Sequence, residues 1–84
     1  MKKTHDIVIE WIAGLPTRRG TDAIHADTEL IDQGILDSLA ILNLVGFLEE
    51  RFNIMMPIEE FVPENFRTPA AIAALAIRLS EKAA

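Results

Sequence analysis

Within the stretch GILDSLAILNLVGFLEERF, residues 34–52, one side chain carries a hydroxyl: Ser38, set between Asp37 and a run of leucine and isoleucine too rich for a single buried helix face. If Asp37 caps a helix, Ser38 is its first residue, and its hydroxyl points outward beside the free backbone amides and the positive end of the helix dipole. A phosphate esterified at that position would be stabilised there. Asp-Ser at a helix start is also ordinary capping chemistry, so the pair alone decides nothing. Other chemistries find less support. The chain has no cysteine, so it supplies no thiolate. His5 and His25 stand far apart with no metal spacing. A serine hydrolase would need G-x-S-x-G, which is missing, no histidine stands near Ser38 in the sequence, and a chain this short has little room for a substrate pocket.

The elements that must position Ser38 can be read on either side of it. Val8, Trp11, Ile12 and Leu15 recur at helical spacing over Thr4 to Leu15, with Thr4 as N-cap, Asp6 in the first turn, and Gly14 and Pro16 closing the segment. Trp11 is expected in the core. Residues 16–36, with Pro16, Gly20, Gly34 and the apolar pair Leu30-Ile31, predict a long connection pinned to the core by a few side chains. A loop of that length in so small a chain hints at function. The second helix is capped by Asp37 and ended by Asn53 in the left-handed conformation. Pro57 and Pro63 break the next segment into one or two short turns carrying Ile58, Phe61 and Phe66. A last helix starts at Thr68-Pro69 and repeats Ile72, Leu75, Ala76 and Leu79 on one face. The expected fold is all-α: a small antiparallel bundle of three main helices plus one short helix, forming one domain over residues 1–84.

Composition narrows the partners. With 84 residues, half of them hydrophobic, the chain has just enough core to fold alone. A net charge of -5 argues against nucleic acid, whose phosphates need a basic surface. The basic Met1-Lys2-Lys3 is followed by Asp6 and Glu10, so neither a signal peptide nor a membrane span is read there, and a cytoplasmic monomer is expected. Glu49, Glu50, Glu59 and Glu60 read as solvated face, and Arg18 and Arg19 as surface residues.

On the second helix, Ile41, Leu44, Val45, Leu48 and Phe52 gather into one stripe, the core. Leu39, Leu42 and Gly46 fall on a neighbouring face, on the side of Ser38. Leu39 and Leu42 are either the edge of a wide core stripe or a docking surface offering up to ~1.5–3 kcal/mol each to a partner that buries them. Gly46 inside a helix costs roughly 1 kcal/mol against alanine, which the close approach of another backbone would explain.

Asp37-Ser38-Leu39 opening a second helix after Asp32-Gln33-Gly34 resembles the attachment site of acyl carrier proteins and the related peptidyl and aminoacyl carrier domains. The likeness extends over nearly the whole chain, through Leu30 and Gly34, the stretch Leu48-Glu49-Glu50-Arg51-Phe52-Asn53 leading to Pro57, the Phe61 and Phe66 turns, and Thr68-Pro69. Three features suggest a branch. G-I-L-D-S-L has two residues, Ile35 and Leu36, between glycine and aspartate, as in D-alanyl and stand-alone aminoacyl carriers. Ala40 and Asn43 stand where fatty-acid carriers commonly have acids, so docking should rely more on apolar contact. Met55-Met56 precedes Pro57, one methionine expected in the core and the other exposed beside the docking face.

The resemblance implies that Ser38 receives 4′-phosphopantetheine from coenzyme A through a phosphopantetheinyl transferase, with Asp37 near the transferase's Mg²⁺. The arm's thiol would hold cargo as a thioester. An adenylate-forming ligase or other loading enzyme would charge it, and downstream acyl- or aminoacyl-transferring enzymes would dock on Leu39, Leu42, Gly46 and Met55. The chain is then a carrier and not an enzyme, with an aminoacyl or specialised short-acyl cargo favoured over a fatty-acyl or polyketide one. The rival from another class is an unmodified helical adaptor that only holds a protein partner.

Overall fold

The computed structural model describes residues 3–15 and 24–83. Three α-helices, α1 (Thr4–Ala13), α2 (Ser38–Phe52) and α3 (Pro69–Ala83), are joined through two 3₁₀ turns, Ile58–Glu60 and Pro63–Phe66. The described residues include no strand. Their Cα radius of gyration, 12.0 Å, is that of a folded chain of this length, for which about 12 Å is expected. α3 packs along α1 and over the second 3₁₀ turn, and it meets α2 more lightly.

The core is a single apolar cluster. Val8 and Ile12 enter it from α1, Ala40, Leu44, Val45 and Leu48 from α2, and Ile72, Leu75, Ala76 and Leu79 from α3; Phe66 fills the space between the turns and the helices. The α3 stripe is the one its spacing predicts, and Thr68 caps that helix, its Oγ1 accepting from Ala71 N at 3.1 Å. On α2 the predicted stripe is buried at its centre, while Ile41 and Phe52 are half-buried at its edges and Ala40 is drawn inside. Asn53 ends α2 at φ 54°, ψ 50°, the left-handed cap expected of it. Met56 is buried and Met55 fully outside, at 7% and 82% exposure.

Three expectations need correction. Thr4 is the first residue of α1; Lys3 is the N-cap and makes no side-chain capping bond. The helix stops at Ala13 because Gly14 turns there at φ -87°, ψ 1°, which leaves Leu15 half-buried beyond the helix end. Trp11 is half-buried, since its indole stacks on Phe47 at the surface (centroids 5.7 Å apart) instead of entering the cluster. The segment after α2 forms two short turns, within the one or two expected: Phe61, at φ -80°, ψ 65°, interrupts the chain between them, and Pro63 begins the second.

The described part of the long connection, residues 24–36, is pinned by Ile24, Leu30 and Leu36, all buried. Its backbone is tied to the start of α3: Leu30 N donates to Arg67 O at 2.8 Å, and Ala70 N to Ala26 O at 2.9 Å. Pro16, Arg18, Arg19 and Gly20 lie outside the described residues.

Candidate functional site

The loop delivers Ser38 to the surface by burying the residue two places before it. Leu36 is 3% exposed, and both Leu36 N and Ile35 N donate to Leu30 O, at 3.0 and 2.8 Å. This tight turn is made possible by Gly34, whose φ of 73° is a conformation other side chains rarely adopt. With Leu36 fixed, Asp37 emerges in extended conformation and its carboxylate accepts from Ala40 N at 2.8 Å, capping α2. Ser38 is the first helical residue, and its side chain is exposed. The geometry expected of the Asp37-Ser38 pair is the geometry found.

An open cleft of about 380 Å³ begins at these two residues. Ile31, Leu36 and Ile41 line it on the Ser38 side, and Phe61, Val62, Pro63 and Phe66 form the facing wall. Phe66 is buried at 1% exposure, and Phe61 leans on it with ring centroids 6.4 Å apart. The cleft is therefore mostly apolar, with Asp37 and Ser38 its polar side chains.

Leu39 and Leu42 are 67% and 59% exposed, so neither belongs to a wide core stripe. Gly46, on the same side of α2, is exposed, and a Cβ built there would meet no atom within 4 Å. Nothing in the described chain explains the missing side chain. Met55 adds a further exposed apolar group, as do the turn residues Ile58 and Phe61 and, unforeseen from the sequence, Val62. Asn43 is exposed among these, and no acid stands in the first turn of α2.

Two of the four glutamates read as solvated face are engaged instead. Glu49 accepts from Met56 N at 2.9 Å, fastening the turn after α2. Glu60 Oε1 accepts from Arg78 of α3 at 2.8 Å and from Asn65 Nδ2 at 3.0 Å. Local spacing held no signal for the Glu60–Arg78 pair, whose members are 18 residues apart. His5 makes a 3.4 Å contact with Asp6, while His25 uses its backbone N–H to bond Thr28 Oγ1. No group of residues suited to a metal ion occurs among the described residues.

This arrangement, a solvent-facing serine at a helix mouth beside an apolar cleft, agrees with what the chain is similar to. The family model for the phosphopantetheine attachment site matches residues 12–76, and the chain belongs to that family of carriers. Its role is to carry and not to catalyse, and its cofactor is a covalently attached 4′-phosphopantetheine. The D-alanyl carrier protein of Streptococcus suis is 40% identical over 53 residues, 63% of this chain and 67% of that one. That of Listeria monocytogenes is 39% identical over 54 residues, covering 62% and 69%. The lincomycin biosynthesis protein LmbN of Streptomyces lincolnensis is 46% identical over 57 residues, 68% of this chain but a fifth of that larger protein. A chain in a structure titled "Crystal structure of FAD-dependent dehydrogenase" superposes with a TM-score of 0.65 and 33% identity, covering 71% of this chain and 84% of that one.

The exposed residues suit such a group. Ser38 offers a hydroxyl with free approach, and the adjoining cleft offers apolar surface along which an extended arm can lie. No helix among the described residues is long and apolar enough to cross a membrane.

Proposed function

We propose that Ser38 Oγ is the attachment point of the phosphopantetheine arm and that the chain, as one carrier domain in the cytoplasm, holds an aminoacyl group for biosynthetic enzymes. The observation that carries this reading is the exposed Ser38 at the first position of α2, opening directly on the apolar cleft. In the modification, Ser38 Oγ loses its proton and bonds the β-phosphorus of coenzyme A as the pyrophosphate bond breaks and the adenosine bisphosphate leaves. Asp37 has two parts to play: its Oδ1 accepts from Ala40 N and fixes the helix mouth, and by the family resemblance its carboxylate would lie near the transferase's Mg²⁺ during modification. Once bound, the arm supplies a terminal thiol that holds cargo as a thioester.

The aminoacyl preference is supported by the D-alanyl carrier relatives and by G-I-L-D-S-L with its two-residue spacer. The loading partner is then an adenylate-forming ligase. The likeness to a chain in a structure titled for a FAD-dependent dehydrogenase makes a flavin enzyme of that class a candidate consumer of the cargo. Docking falls to Leu39, Leu42, Gly46 and Met55, an uncharged and largely apolar set whose exposure supports contact through burial more than ion pairing.

Incubation with a broad phosphopantetheinyl transferase, Mg²⁺ and coenzyme A tests the attachment site. Intact-mass spectrometry should show one arm added to the wild-type chain and none to Ser38→Ala. Because an exposed side chain in the first turn contributes little, the variant should melt within about 0.5 kcal/mol of wild type. A wild-type chain that gains no mass would favour the unmodified adaptor, and an arm on Ser38→Ala would move the site elsewhere.

A further inference from the structure

With no cysteine in the chain, all of its sulfur is in three methionines. Met1 lies outside the described residues, and the other two are neighbours with opposite surroundings. After Asn53 the chain runs without helix to Pro57, and its side chains alternate: Ile54 and Met56 are buried, each 7% exposed, while Met55 between them stands free at 82%. One residue of α2 fixes this register. Glu49 O accepts from Ile54 N at 3.1 Å, and Glu49 Oε2 accepts from Met56 N at 2.9 Å. With both neighbours in the core and both their amides held by Glu49, Met55 cannot turn inward without drawing Ile54 or Met56 into water, which the burial of those side chains opposes. The thioether of Met55 is therefore kept in solvent, and that of Met56 is kept from it.

We propose that Met55 is a reversible oxidation site, at which hydrogen peroxide converts the thioether to the sulfoxide and so weakens the docking of partner enzymes. The proposal rests on the reading of Met55 as a docking residue, and it deepens that reading by naming how the contact is regulated. In the step, the sulfur lone pair attacks one oxygen of the peroxide, the O–O bond breaks and an S=O bond forms, and the other oxygen leaves as water; sulfur gives up two electrons and the peroxide takes them. The product sets a polar, hydrogen-bond-accepting group where an apolar one stood, and a partner that buries it without a donor loses free energy. A thioether needs no deprotonation to react, and the chain has no cysteine to compete for the oxidant. The change is undone by a methionine sulfoxide reductase, which removes the oxygen as water while two thiols of a reductant become a disulfide.

The test treats the full chain with hydrogen peroxide before it carries the arm, and so before it has a thiol. The peroxide is removed, the arm is added with a broad phosphopantetheinyl transferase, and loading by the adenylate-forming ligase is titrated in carrier for wild type, Met55→Leu and Met55→Gln. Fragment mass spectrometry should place the oxygen on Met55 on the order of tenfold faster than on Met56, because access to the sulfur governs the rate. The KM of the oxidised wild type should rise severalfold, and untreated Met55→Gln should show a similar rise. Tm should stay where it was in both, since the altered group is in water. Met55→Leu should have one KM before and after peroxide, and a methionine sulfoxide reductase with dithiothreitol should return the oxidised wild type to its starting value. Oxidation of Met56 as fast as Met55, or an oxidised Met55 with unchanged KM while Met55→Gln raises it, would overturn the proposal and leave the docking face intact. Met55→Gln with the KM of wild type would take Met55 out of the docking face, and the proposal with it. A chain that accepts no arm is seen by mass at the transferase step, and so is told apart from both.

Discussion

Gly46→Ala should improve the fold and damage the function. Gly46 sits inside α2, exposed, with open space for a Cβ. A glycine at such a place costs about 0.5–1 kcal/mol relative to alanine, through backbone entropy and lost helix propensity. The substitution should recover that amount, and for a domain of this size roughly 4–8 °C in Tm accompanies each kcal/mol, so a rise of about 2–8 °C is expected. If the bare backbone at Gly46 exists to let a partner pack closely, the added methyl must be accommodated in that contact, and overpacking typically costs ~1–3 kcal/mol. That corresponds to roughly a 5- to 150-fold rise in the concentration of carrier needed to half-saturate the enzyme. The assay is steady-state loading of the phosphopantetheinylated variant by its adenylate-forming ligase, titrated in carrier, with a thermal melt run alongside. A raised Tm with unchanged KM would refute the docking role of Gly46 and leave it a tolerated helix defect. A lowered Tm would show that the space beside it is filled.

Leu42→Asp, at a position 59% exposed, should leave Tm nearly unchanged while raising the ligase KM by about one to two orders of magnitude, the worth of one buried leucine at ~1.5–3 kcal/mol; a collapse of the melt would return Leu42 to the core. Asp37→Ala removes the acceptor for Ala40 N and should cost about 1 kcal/mol in chemical denaturation. If Asp37 also serves the transferase, modification of Asp37→Asn, which keeps a capping oxygen, should slow well beyond any change in its stability, and equal rates for Asn and wild type would limit Asp37 to capping.

Much of this protein was legible from residue types and local spacing. Asp37 as cap, Ser38 as first helical residue, Asn53 as left-handed terminator and Thr68-Pro69 as helix start are all set by interactions within a few residues, and the structure has each as expected. The α3 stripe follows likewise from a helical period that only one face can satisfy. The exposure of Leu39 and Leu42 was undecided because periodicity says which residues share a face, and not whether another element covers it. Trp11 went astray for a related reason: its spacing fits the core, yet Phe47 from another helix holds the indole at the surface.

What the chain could determine alone was therefore the local frame: a serine at the mouth of a capped helix, and the family to which that pattern belongs. The cleft facing it, the two-part turn that walls it and the Glu60–Arg78 contact behind that wall were decided by tertiary structure. They join residues 31–41 with 61–66, and residue 60 with 78. Contacts between segments so far apart leave no period and no fixed spacing in the sequence, because they exist only once burial of Leu30, Leu36 and Phe66 has brought the loop, the turns and α3 around one core.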